Sequence, residues 1–217
     1  MSSTPMRGSA RRGNGRNNGH VALANGAAPR SFVLYVEGPR DQSLLEAWAR
    51  RVSPALAATL ADVTVILGGC RPARAAEHFR ERRERDADVR GLCVLDRDAD
   101  GAPRPRTVEE PGLAFFTWGR RHIESYLLVP DAIRRSLGLA ADDARVERFF
   151  ERELPRDEAG LGAVDAKPLF AFQGELQRLL GRPVRPAQVA RAMYAGEIHA
   201  HVHELFARVR AGAGLDG

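Results

Sequence analysis

Residues 91–101 read GLCVLDRDADG. Five uncharged, mostly apolar residues run without polar alternation, as in a strand covered on both faces. Three aspartates, Asp96, Asp98 and Asp100, follow on alternate positions. Carboxylates this close repel one another unless a cation lies among them. The stretch therefore predicts a buried strand with a ligand site at its carboxyl end.

Outward from it, the same kind of run recurs. SFVLYV (31–36), DVTVIL (62–67) and GLAFFTW (112–118) read as three further strands. Between them, EGPRD reads as a turn, and SLLEAWARRV (43–52) carries apolar residues at helical spacing. PARAAEHFRERRER (72–85) reads as a solvated helix of mixed sign, with Gly68-Gly69 before it. A loop rich in Pro, Gly and Arg spans 99–111. Strands alternating with helices predict an α/β fold: a parallel sheet of about four strands flanked by helices.

Beyond residue 119 the pattern is helical, through RRHIESYLL (120–128), PDAIRRSLGL (130–139), DDARVERFFEREL (142–154), KPLFAFQGELQRLLG (167–181) and Pro186 to Arg210. Pro130 reads as a helix start, and Gly138 and Gly181 as stops. The expected organisation is a tail at 1–30, an α/β core at 31–128 and a helical C-terminal extension at 129–217 packed on that core.

The net charge of +5 belongs to the tail. Residues 1–30 hold five arginines and no acid, whereas residues 31–217 hold 28 basic and 28 acidic residues. The tail is rich in Gly, Asn, Ser and Ala, a composition that predicts disorder, either as an arm drawn to phosphate backbones or as an inert leader. It has no secretory signal pattern, and the chain has no apolar run of membrane-spanning length. Cys70 and Cys93 read as reduced thiols, and the expected compartment is the cytoplasm.

Three acidic features fall at the carboxyl ends of predicted strands, where open parallel sheets collect ligands. Glu37 and Asp41 follow the first strand, Asp96 and Asp98 the third, and Glu124 the fourth. Such a set needs cations, and all-oxygen donors select hard ions, Mg²⁺ or Mn²⁺, over zinc. Other readings of DRDADG fit less well. A calcium loop of the EF-hand type needs helical flanks and a glutamate at its twelfth position, which is Thr107. A phosphotransferase of the haloacid-dehalogenase type needs Thr or Val where Asp100 stands. A plain acidic turn leaves Glu37-Gly38 without a role.

The ordered set resembles the TOPRIM domain of topoisomerases and primases, and in finer pattern the TOPRIM nucleases of the OLD (overcoming lysogenization defect) family. The matching segments are Glu37-Gly38-Pro39-Arg40-Asp41, the pair Gly68-Gly69, Asp96 and Asp98, and Ile123-Glu124-Ser125-Tyr126-Leu127. They span about residues 31–130. Arg40 departs from the pattern, which has a small hydroxyl residue there. No phosphate-binding G-x-x-x-x-G-K-[ST] precedes the core, so the expectation is a stand-alone TOPRIM protein that could work with a separate ATPase.

The resemblance implies a metal-dependent nuclease with two ions, Asp96 and Asp98 holding one, Glu37 and Asp41 the other, and Glu124 bridging or orienting water. It also gives a role to Lys167, which the resemblance places at a helix start beside the scissile phosphate. This is the chain's single lysine against 32 arginines. Arg120 or Arg121 would serve in its absence. The catalytic set is thus Glu37, Asp96, Asp98, Glu124 and Lys167, the metal set Glu37, Asp41, Asp96, Asp98 and Glu124, and the partner nucleic acid, DNA before RNA. Tyr35 and Tyr126 read as packing residues. The rival from another class is a non-cleaving module that binds nucleic acid or nucleotide. His199, His201 and His203 in HAHVH read as a polar helix surface, the alternative being a zinc pair on one helix face.

Overall fold

The computed structural model describes residues 1, 31–97 and 109–215. Most of the expected basic tail, Asp98 and most of the loop at 99–111 lie outside the described residues. Four strands, β1 (Phe32–Val36), β2 (Thr64–Ile66), β3 (Arg90–Leu95) and β4 (Leu113–Thr117), pair in the order β2-β1-β3-β4, all parallel. Leu34 is in register with Thr64 on one side and Leu92 on the other. The chain runs from β1 outward to β2 and returns past β1 to β3. The topology therefore reverses between β1 and β3, the place where open α/β sheets bind ligands.

The two-residue period of a strand sends alternate side chains to opposite faces. Val33, Tyr35, Cys93 and Leu95 pack on one face under helix α3 (Pro72–Arg85), against Ala75, Ala76 and Phe79. Phe32, Leu34, Val36, Leu92 and Val94 pack on the other. That face is covered by α1 (Pro39–Val52), α2 (Pro54–Val63) and the C-terminal helices. Gly91 is required on the first face, because a Cβ there would stand 2.7 Å from the Phe79 ring. Burial on both faces is why these strands read as unbroken apolar runs.

The C-terminal half adds α4 (Pro130–Leu137), α5 (Arg145–Glu153), α6 (Glu158–Ala163), α7 (Glu175–Leu180), α8 (Pro186–Ala192) and α9 (Ala200–Ala213). Ile133, Val146, Leu176, Val189, Val202 and Phe206 join Leu34 and Trp48 in one continuous core. Trp48 is fully buried and its indole N–H donates to Met193 Sδ at 3.1 Å, tying α1 to the end of α8. The fold is thus α/β, a four-stranded parallel sheet with a helical C-terminal part.

Several local expectations change. Helix α1 begins at Pro39, so Arg40 and Asp41 stand in its first turn rather than in a loop; proline suits that first position because the missing N–H has no helical partner there. Residues 54–61, unassigned from sequence, and the first two residues of the expected strand form α2, started by Ser53 Oγ accepting from Leu56 N (3.4 Å) and by Pro54. The strand expected at 62–67 is confined to 64–66. RRHIESYLL supplies only a 3₁₀ turn, Ile123–Leu127. Lys167 does not open a helix: residues 167–173 are turns and bends and α7 starts at Glu175. Pro168 disfavours helical backbone at Lys167, and Gln173 sits at φ 58°, in the left-handed region. The stretch from Pro186 to Arg210 breaks after α8 and resumes in α9.

Candidate active site

Glu37 leaves the end of β1 and is held through its backbone first. Its carbonyl accepts both Gly68 N and Gly69 N, each at 2.9 Å. The two glycines reach it at φ 76° and 116°, a backbone region that side chains with a Cβ avoid. The glycine pair noted in the sequence is therefore a clamp on Glu37. One residue on, Gly38 caps α1, and its N–H donates to Asp41 Oδ2 at 2.6 Å. Asp41 is fixed by closing the start of the helix whose N-terminal end favours negative charge.

Across the switch point, β3 delivers Asp96 beside Glu37. Asp96 N donates to Glu37 Oε1 at 3.2 Å. Asp96 Oδ2 accepts from Lys167 Nζ at 2.8 Å and lies 3.0 Å from His122 Nδ1. His122 Nε2 in turn lies 3.4 Å from Asp165 Oδ1, and that same oxygen accepts from Lys167 N at 3.2 Å. Asp165 thus braces both side chains that meet Asp96 Oδ2.

Glu124, in the 3₁₀ turn after β4, is 2% exposed. Its Oε1 accepts from Arg40 Nη1 at 3.0 Å, while its buried Oε2 has no hydrogen-bond partner. Residues from β1, α1, β3, the turn after β4 and the turn before α7 therefore form one linked group. Glu37, Asp96 and Lys167 join through hydrogen bonds, Arg40 joins Glu124, and Asp41 is close enough to feel the charges of Asp96, Glu124 and Glu37. Asp98, the remaining expected ligand, lies outside the described residues.

Titration behaviour divides the group. Burial, with the neighbouring charges of Asp96, Glu124 and Glu37, pushes Asp41 up to about 7, against the pull of the Gly38 N–H. Burial and the Asp96 charge likewise raise Glu37. Burial also works to raise Asp96, but the hydrogen bonds from His122 and Lys167 more than reverse it and leave Asp96 lowered. Lys167 is raised: its partial burial acts downward, and its contact with Asp96, with Glu124 and Glu37 nearby, outweighs that. Glu37 and Asp41 are thus the carboxyls whose ionisation the site opposes.

The donor set fits a hard divalent ion in its chemistry. Every donor is a carboxylate oxygen, and one of them, Glu124 Oε2, is buried without a partner. As the side chains stand, no group of three or more His, Cys, Asp or Glu among the described residues is gathered closely enough to hold a metal ion. Lys167 and Arg40 occupy one oxygen each of Asp96 and Glu124.

Other candidates have structural partners. Arg120 is 7% exposed and forks onto Glu158 (2.9 and 2.7 Å) while donating to Ser125 O, so it is not available to a phosphate. Arg121 is half-buried, 3.8 Å from Asp165. The Tyr126 hydroxyl accepts from Arg120 N (3.0 Å) and pairs with His201 Nδ1 (2.9 Å); Tyr35 pairs with His78 Nδ1 (2.9 Å). Both tyrosines are buried packing residues, as expected. His199 caps α9 rather than lying on it, its Nε2 3.3 Å from Glu158. It does not share a helix face with His203, and the zinc pair has no basis. Cys93 is buried, which pushes its thiol up to about 12, and no disulfide joins it to Cys70. His122 and Asp165 are the site residues that sequence reasoning missed. A histidine one residue from the I-E-S-Y-L segment and an aspartate two before the single lysine were the available signals. No helix among the described residues is long and apolar enough to cross a membrane.

No family model and no curated protein matches the chain. Among solved structures, the C-terminal region of the OLD protein of Burkholderia pseudomallei is 14% identical, with a TM-score of 0.48, and covers 85% of this chain and 98% of that one. The C-terminal region of the OLD protein of Xanthomonas campestris pv. campestris is 13% identical, with a TM-score of 0.46, over 85% and 96%. The chain is similar in structure to the C-terminal regions of OLD proteins, the family its acidic segments resemble.

Proposed function

We propose that this protein is a divalent-metal-dependent nuclease that hydrolyses phosphodiester bonds in nucleic acid, DNA before RNA. The observation that carries the reading is the meeting of Glu37, Asp96 and Lys167 at the reversal point of the sheet, 59 and 71 residues apart in sequence. A purely structural acidic turn has no need of a lysine and a glutamate brought from two other elements.

In this reading Glu37, Asp41 and Asp96 would hold the metal, drawn together by it. A bound divalent ion supplies Lewis acidity, lowering the pKa of its water and drawing charge from a phosphate oxygen. Lys167, anchored on Asp96 and braced by Asp165, presents its ammonium to the charge that grows on the phosphate. Arg40, with its side chain 53% exposed, pairs with the nucleic-acid strand from the first turn of α1. Water is the nucleophile. The hydroxyls of Tyr35 and Tyr126 are committed to other partners, and burial raises the pKa of both.

A second reading, a non-cleaving module that binds nucleic acid or nucleotide, draws support from Lys167 and Arg40, which already neutralise half of the four carboxylates without a metal. A separate ATPase subunit is a fitting partner under either reading. Incubating supercoiled plasmid and end-labelled single- and double-stranded oligonucleotides with the protein, in Mg²⁺ or EDTA, tests the proposal. Cleavage in Mg²⁺ only, reduced at least about 100-fold by Asp96→Asn, is the expected result. Equal cleavage by both proteins contradicts it, and binding without cleavage favours the second reading.

A further inference from the structure

We propose that the ring of Phe172 is a stacking platform for an unpaired base of the substrate, close to the scissile phosphate. The proposal rests on the nuclease reading above and narrows its substrate to nucleic acid that is single-stranded or frayed near the cut.

Phe172 is 80% exposed, more than any other large apolar side chain described between residues 31 and 215. A phenylalanine left in water forgoes the stabilisation that burial brings, and here the chain holds it there. Leu169 and Phe170 are buried in the core, and Ala166 O accepts from both of their N–H groups (3.1 and 3.4 Å). Ala171 N donates to Pro168 O (3.3 Å) and Gly174 N to Ala171 O (2.9 Å). Gln173, next to Phe172, stands at φ 58°, the one non-glycine residue at positive φ among those described. Its N–H donates to Gln177 Oε1 at 3.0 Å. A Cβ at Gly174 would run into the carbonyl oxygens of Pro168, Leu169 and Ala171. The loop is therefore closed tightly on itself, and an uncommon backbone conformation beside an exposed ring points to a use for that ring.

The same loop begins with Lys167, whose ammonium is bonded to Asp96. Five residues of extended chain reach at most about 17 Å, and the closure of Gly174 onto Pro168 shortens that. The ring thus stands within a few nucleotides of a phosphate at Lys167. Its surroundings fix the chemistry of the occupant. Ala171 and Gln173 are exposed on either side of Phe172, one small and one polar. The loop tip therefore offers one flat ring, not the apolar patch that a protein interface buries. A single base matches such a ring face to face. Inside an intact duplex the base faces are covered by one another, so the base must be unpaired.

Cleavage kinetics on a single-stranded oligonucleotide in Mg²⁺, with the fluorescence of a Phe172→Trp variant, test this together. Phe172→Ala is expected to raise KM about 5- to 150-fold, the loss of one base–aromatic stack, with kcat and melting temperature unchanged. Phe172→Leu should behave like Phe172→Ala, and Phe172→Trp like the wild type. The single strand should quench the added tryptophan emission of Phe172→Trp, and an abasic strand of equal length should not. Unchanged KM in Phe172→Ala, an equal rise on a closed duplex circle, a Phe172→Leu protein as good as the wild type, or equal quenching by the abasic strand overturns the proposal. Unchanged KM with cleavage intact leaves the nuclease reading standing and the ring to a protein contact. Base-dependent quenching in a protein that cleaves nothing supports the stack and sinks the nuclease reading.

Discussion

Lys167 Nζ lies 2.8 Å from Asp96 Oδ2, joining a turn of the helical half to the end of the third strand. The lysine is held at both ends of its length, since its backbone N–H is bonded to Asp165. A cation placed this firmly loses little freedom when a phosphate arrives, which is the condition for electrostatic stabilisation to act on the rate. Replacing Lys167 with Ala is expected to lower kcat on an oligonucleotide substrate by about 100-fold or more, by analogy with the loss of one oxyanion donor. Lys167→Arg should recover part of it. Unchanged kcat in Lys167→Ala would remove the lysine from the chemistry.

Asp41 gives a pH signature in the metal-free protein. Its folded pKa is raised from 3.8 to about 7, so the folded state holds a proton that the unfolded chain releases. The associated stability is complete below pH 4, falls as pH rises to about 7, and is level above. Glu37 acts in the same direction. Melting temperature measured in EDTA from pH 4 to 8 should therefore decline less steeply for Asp41→Asn than for the wild type. Asparagine keeps an oxygen for the Gly38 N–H, so helix α1 retains its cap. Identical slopes would show that Asp41 is not under this strain.

The clamp on Glu37 predicts an effect at a distance from any charge. Gly68→Ala and Gly69→Ala place a Cβ on backbone at φ 76° and 116°, costing about 1–2 kcal/mol each in chain strain. Their two N–H groups also hold the Glu37 carbonyl. Chemical denaturation should show the loss of stability, and Mn²⁺ affinity should fall with it. Affinity unchanged in a destabilised variant would separate the clamp from the site.

On the opposite face of the sheet, Gly91→Ala drives a Cβ to 2.7 Å from Phe79 and 2.8 Å from Leu113. The expected cost is about 1–3 kcal/mol of overpacking. Phe79→Leu alone should also destabilise, by leaving a void. Combined, the two should be less damaging than their sum, because the smaller side chain makes room for the added methyl. Additive denaturation free energies would show that the two residues do not share this contact.

The two central strands were legible in the sequence because both are buried on both faces, so Val33, Leu34, Tyr35, Cys93 and Val94 leave no polar gap. Glu37 and Asp96 were legible for a related reason: an acid ending such a run stands at the sheet's carboxyl edge. Helix α2 was hidden because its alanines give little contrast between its faces. The helix start at Pro39 was obscured by Gly38, which reads as a turn and acts as a cap. Lys167 could be picked out only as the single lysine in an arginine chain, and its place in a turn follows from Pro168, not from any periodicity. Position in the sequence offered a faint signal for His122 and Asp165, but their contacts with Asp96 and Lys167, and the Arg40–Glu124 pair, were out of reach, since they depend on which side chains from distant segments meet. The departure at Arg40 was visible, but its partner was not.

Anomalous diffraction from a crystal of the full chain soaked in Mn²⁺ tests the central claim most directly. The account predicts a peak within coordination distance, about 2.0–2.3 Å, of oxygens from Glu37, Asp41 and Asp96. A saturated crystal with no peak between the ends of β1 and β3, or with manganese bound only elsewhere, would contradict it.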